Sequence, residues 1–187
     1  MSIQTWQETL VYAAADGPTL TTAARASCIP TSAKITLPNN FFTVGKMIKI
    51  TAQGRISCVV TTPGTARFDV ALAGTANGDS GALNLNTTAK TNVPWWLEIV
   101  GTCRTVGSGT SATIFWFGQF TSEAVVGSAA STAGGNGTLT FTHGGLGATA
   151  VGAGFDSTAA LTLDLFFTQT VATGSLTLQQ YKVESLN

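Results

Sequence analysis

Charge is what this sequence has least of. Asp, Glu, Lys and Arg together make up 10% of its 187 residues, and the formal net charge is zero; an average globular domain carries about 25% charged residues. Phosphate backbones are held by clustered Lys and Arg, whereas the nine basic residues here are spread from Arg25 to Lys182, with only Lys46 and Lys49 close together. That excludes nucleic acid as a partner. One histidine, His143, and three cysteines without a CxxC pair exclude the usual zinc sites. No metal and no cofactor are expected. Cys28, Cys58 and Cys103 are expected as free, buried thiols, which suits assembly in a reducing cytoplasm. No apolar run approaches the roughly 20 residues of a spanning helix, so no membrane is expected. The opening MSIQTWQETL lacks a basic stretch followed by an apolar one, and no secretory signal is read there.

Thr, Ser, Ala and Gly stand where the charge is missing. Thr is β-branched and suits a half-solvated pleated surface, whereas helices use Glu, Lys and Arg on their solvent faces. Net charge of either sign keeps molecules apart in solution. A neutral, Thr-rich surface therefore points to one that lies largely against other subunits. The length fits a single domain over residues 1–187 with one core.

Two-residue alternation recurs along the chain and helical periodicity is nearly absent. Residues 1–40 read as an N-terminal arm with the first strands, Thr9 to Ala14 and Lys34 to Leu37. Eight stronger strands follow: Met47 to Val60, one around Phe68, Val70 and Leu72, Ala82 to Asn86, Val93 to Thr105, Ala112 to Glu123, Thr138 to Thr142, Leu161 to Val171, and Ser175 to Glu184. Asn77-Gly78-Asp79 reads as a chain break, and Gly107-Ser108-Gly109 as a hairpin. Small residues fill 127–159, which reads as long loops at one end of the molecule. The pattern predicts an all-β antiparallel sandwich, a jelly roll or related Greek key, with about eight core strands.

Several strands are apolar on both faces. Trp96 and Val100 share a face with Glu98, opposite Trp95, Leu97 and Ile99; Phe115 and Phe117 oppose Ile114, Trp116 and Phe120; Phe166 accompanies Asp164. A soluble monomer rarely exposes such a set. Trp96, Phe115, Phe117 and Phe166 are therefore candidate residues of a subunit interface, and Ile3 and Trp6 could extend it by reaching a neighbour from the arm. The alternative is that the arm and the long loops cover them within one chain.

Candidate chemistry is sparse. Gly78-Asp79-Ser80-Gly81 resembles the surroundings of a serine-protease nucleophile, but such a serine needs a base within reach. His143 follows Ser80 rather than preceding it, and it reads as a surface loop residue. Asp69, Glu98 and Asp164 are expected to pair with Arg67, Arg55 or Arg104 on strand faces rather than to form a hydrolytic pair. The Asn-X-Thr triplets at Asn86 and Asn136 carry no weight without a secretory route. No catalytic residue is assigned, and the chain reads as non-enzymatic.

The runs VGKMIKITAQGRIS (Val44 to Ser57), VTTPGT (Val60 to Thr65), GFDSTAALTLDLFF (Gly154 to Phe167) and YKVESLN (Tyr181 to Asn187) resemble a family of small virion proteins from tailed-bacteriophage structural gene clusters. That resemblance implies a head decoration, or cement, protein with a jelly-roll fold. Its implied partners are itself, as a homotrimer, and the major capsid protein; its implied place is the capsid exterior, after assembly in the host cytoplasm. The competing expectation is a tail or fibre component, including a receptor- or glycan-binding module, since fold alone does not separate these roles.

Overall fold

A computed structural model describes residues 7–59, 62–128, 138–142, 152–172 and 174–186, with backbone alone for 127–128 and 138–142. Ile3, Trp6 and His143 lie outside the described residues. In chain order the strands are β1 (Glu8–Tyr12), β2 (Ala26–Ser27), β3 (Ile35–Leu37), β4 (Met47–Cys58), β5 (Thr65–Leu72), β6 (Thr75–Asp79), β7 (Leu83–Leu85), β8 (Lys90–Thr105), β9 (Thr113–Ser122), β10 (Val125–Ser128), β11 (Thr138–Thr142), β12 (Leu161–Gln169) and β13 (Ser175–Ser185). Among the described residues the only helical element is a 3-10 turn at Thr31–Ala33.

The strands form two antiparallel sheets. One runs β1-β13-β4-β8-β9-β11; the other runs β10-β7-β5-β12-β2, with β3 also on β12 and β6 also on β5. Take β1, the β2/β3 pair, β4, β5, β7, β8, β12 and β13 as eight successive positions. The first sheet then holds the first, eighth, third and sixth, and the second sheet the second, seventh, fourth and fifth. That is jelly-roll wiring, an antiparallel hairpin of four strand pairs rolled into a sandwich. β9, β10 and β11 are an insertion between the sixth and seventh positions that widens both sheets on the same side.

Alternation explains most of the elements. Along β4, Ile48, Ile50, Ala52 and Ile56 are buried, and β8 buries Trp95, Leu97, Ile99 and Cys103. Facing them are Phe68 and Val70 of β5 and Leu163, Leu165 and Phe167 of β12. Phe68 is central: its ring lies 4.9 Å from Phe120, 5.1 Å from Phe167 and 5.4 Å from Trp95. All three cysteines are free and buried, and burial pushes the Cys28 thiol far up.

Three expectations need correction. Asn77-Gly78-Asp79 does not break the chain; it is the end of β6, which returns along β5 from a tight turn at Ala73-Gly74. The reversal precedes the residues that look like a turn. β10 and the two-residue β2 have no counterpart in the sequence pattern, and β10 carries strand into the start of 127–159, ending at Ser128; Thr138–Thr142 forms β11 with the bounds expected. Phe155 then bridges back to Ala112. β8 begins at Lys90, ahead of Pro94. Proline is tolerated there because pairing with β9 starts only at Trp95, leaving β8 with a neighbour on one side at Pro94.

Candidate interaction face

The outer faces of the two sheets differ in kind. On the seven-stranded sheet, acidic residues in β5, β6 and β12 are met by cations. Arg25 grips Asp69 through two bonds, Nε to Oδ2 at 2.9 Å and Nη2 to Oδ1 at 2.6 Å. Lys34 reaches Asp164 at 2.9 Å, and Ser27 Oγ donates to the same carboxylate at 2.7 Å. Arg67 holds Asp79. The guanidinium of Arg25 also lies over the ring of Phe166, 3.7 Å from its centroid, an attractive placement for a cation. Phe166 is thus capped by a residue of its own chain and is half-buried.

The anticipated ion pairs therefore have different partners. Asp69, Glu98 and Asp164 pair with Arg25, Lys49 and Lys34, not with Arg67, Arg55 or Arg104. Arg67 turns to Asp79 on the neighbouring β6, and Arg104 lies over Phe115 at 5.3 Å. Two of the actual cations, Arg25 and Lys34, come from just ahead of the short strands β2 and β3, far in the chain from the carboxylates they meet.

The six-stranded sheet carries the aromatic surplus on its outer face. Register places Val100 opposite Phe117 and Thr102 opposite Phe115, with Lys49 beyond Val100. Phe117 is 52% exposed, and Phe115 and Val100 are half-buried. Between Val100, Phe117, Gln119 and Glu98, over Gly118, lies a shallow depression of about 170 Å³. Trp96 sits on the same face opposite Thr121 and Gln53, separated from Phe117 by the Glu98–Gln119 row. Of the four strand aromatics singled out from sequence, the fold thus brings together Phe115 and Phe117, sets Trp96 further along the same face, and puts Phe166 on the other sheet. Lys49 and Glu98 pair at 2.7 Å beside the apolar end.

Two features escaped the sequence reading. The first is the grouping of Val100, read from alternation only as sharing a face with Trp96 and Glu98, with Phe117, which register sets opposite it. The second is a β-bulge in β13 between Leu178 and Gln180. Its signal is visible in hindsight: buried Leu176 and Leu178 are even-numbered, whereas buried Tyr181 and Val183 are odd, so the alternation changes phase between them.

The Gly-Asp-Ser-Gly stretch is structural. Ser80 is buried; its Oγ accepts from Phe68 N at 2.9 Å and donates to Gly81 O at 2.8 Å. Asp79 Oδ1 accepts from Gly81 N at 2.6 Å and is committed to Arg67. Among the described residues, no three of His, Cys, Asp and Glu cluster as metal ligands, and no helix is long and apolar enough to cross a membrane. Comparison with protein-family models, with curated proteins and with solved structures finds no match to this chain.

Proposed function

We propose that this chain is a structural component of a virion, a decoration protein that binds the outside of a tailed-phage head and reinforces its shell without catalysing a reaction. The observation that carries the reading is the Val100–Phe115–Phe117 cluster, held on a rigid sheet face with Phe117 half in solvent. An apolar group of this kind on an otherwise weakly charged surface is suited to burial by another subunit. The four stretches that resemble virion proteins support the same reading, and so does Ser80, whose hydroxyl is buried and doubly bonded instead of poised for attack.

The action would be mechanical. A cement protein bridges neighbouring capsid subunits, and the surface it buries offsets the outward pressure of packaged DNA. Interfaces of standard size bury about 1,600 Å². A homotrimer would grip three capsid sites at once, gaining avidity without stronger individual contacts. The sheet supplies a preformed surface, so little ordering cost opposes binding.

The test is light scattering on a sizing column followed by co-sedimentation with tailed-phage heads lacking the protein. A trimer that pellets with heads is expected. Phe117→Glu should keep the fold, because the side chain is half exposed, and lose both trimer and pellet. A wild-type monomer that ignores heads would overturn the reading. A tail or fibre component would then lead, favoured by the amide-lined hollow described next.

A further inference from the structure

Away from the apolar end, the outer face of the six-stranded sheet becomes neutral and amide-rich. Register sets Gln180 beside Gln53, Gln53 beside Trp96 and Trp96 beside Thr121, one row across four strands. The bulge in β13 adds Gln179 to this row. The result is a hollow of about 370 Å³ lined by Gln53, Gly54, Pro94, Trp95, Gln179 and Gln180. Its floor depends on Gly54: a Cβ there would collide with the carbonyl oxygen of Thr177 and lie 2.9 Å from Leu178 Cα.

We infer that this hollow is a carbohydrate-binding site. The lining selects the ligand class. No charged side chain lines it, so neither a phosphate nor a metal ion finds a counter-charge. Three carboxamides line it, and each offers two donors and an acceptor with two lone pairs, which matches hydroxyls that donate and accept together. None of the three makes a side-chain hydrogen bond to another described residue. Trp96 is not part of the lining but is half-buried and paired with Gln53 on the next strand, so a sugar ring seated on the amides would meet its apolar side chain at the rim of the hollow. The volume falls within the range of small-ligand sites, roughly 300–1,000 Å³. Gln179 and Gln180 are exposed, so the site is open to the end or side of a glycan chain. The inference depends neither on trimer formation nor on attachment to a head.

Saturation-transfer NMR on the full chain tests it, with neutral oligosaccharides of glucose, galactose and mannose and one uronic-acid oligomer as probes. Transfer to at least one neutral probe is expected. The double variant Gln53→Ala/Gln180→Ala should weaken it by at least about tenfold, the worth of one or two hydrogen bonds. Trp96→Ala should do the same, and Phe117→Ala should leave it unchanged. The glutamine variants change only partly or fully exposed side chains, so they keep the test valid if Trp96→Ala does not fold. Failure of every probe at about 10 mM, a concentration that half-fills a site with a Kd of about 10 mM, overturns the inference. So does binding that the double variant retains. A response confined to the uronic acid and lost in Arg55→Ala would also overturn it, marking an anion contact at Arg55 instead of an amide site.

Discussion

Trp116 reaches from β9 across the sandwich and donates its indole N–H to Asn77 Oδ1 at 2.8 Å. Both residues are buried, and Asn77 also donates to the carbonyl of Ala153. The indole fits because two glycines make room for it. A Cβ on Gly78 would lie 2.8 Å from the ring, and one on Gly101, paired with Trp116 in β8, 2.5 Å from it. Asn77→Leu should cost about 1–3 kcal/mol, because the indole N–H is left buried without a partner. Gly101→Ala should cost about as much through overpacking. Urea unfolding of each variant measures this; a cost below about 0.5 kcal/mol for both would mean that the indole can move aside.

The Ala73-Gly74 turn has positive φ at both positions, 49° and 83°. Hairpins of this form favour Asn-Gly, since alanine pays a steric penalty there that asparagine and glycine largely avoid. Ala73→Asn should therefore stabilise the protein by up to about 1 kcal/mol, seen as a raised thermal midpoint. An unchanged or lower midpoint would mean that the strain is relieved elsewhere in the turn.

Asp69 is only 2% exposed, and its charge is answered by Arg25. Arg25→Ala should cost up to about 3 kcal/mol, the lower end for a broken buried pair, because the arginine is itself over a third exposed. Arg25→Ala/Asp69→Ala should recover part of that loss, since no buried charge is left alone. The same truncation uncovers the ring of Phe166, so the single variant should bind more of a hydrophobic dye. If the double variant is no better than the single, the pair is not what holds the region.

Glu184 responds to pH. Burial alone would raise its pKa, but hydrogen bonds from Lys182 and Gln7 and the charges of Lys182 and Lys49 outweigh it and hold the carboxyl below its ordinary value of 4.5. Its contribution is therefore complete above about pH 4.5, the unfolded value, and is lost as pH falls through the lower folded value. The stability gap between wild type and Glu184→Gln should be constant at neutral pH and shrink under acid. A gap that stays constant down to pH 3 would remove the ion pair from the account.

The long strands are legible in the sequence because both rows of their side chains have opposite fates: Ile48, Ile50 and Ala52 go inward while Lys49 and Thr51 do not. β6 is not legible, because Asn77 and Gly78 were selected by Trp116 from the opposite sheet, and their own neighbours suggest a turn. β2 is too short for any period to show. The candidate interface is half legible. Alternation alone puts Trp96, Phe115 and Phe117 on an outer face, but the cap on Phe166 depends on Arg25, far away in the chain. The amide hollow depends on a one-residue phase change in β13, visible only once the strand's two halves are compared.

The jelly-roll pairing is nested: Thr65 with Asn84, Ile56 with Val93, Leu37 with Leu161, and Glu8 with Ser185. Each successive ladder joins residues further apart along the chain, so each closes a longer loop at a greater entropic cost. Assembly should then proceed outward from the β4–β9 region, with β1 zipping onto β13 last. In native-state hydrogen exchange, the amides that bond β1 to β13 would be released first and those of β4 and β8 last. The strand that completes the winding is thus the one most readily peeled away and re-docked, on this molecule or on a neighbouring copy.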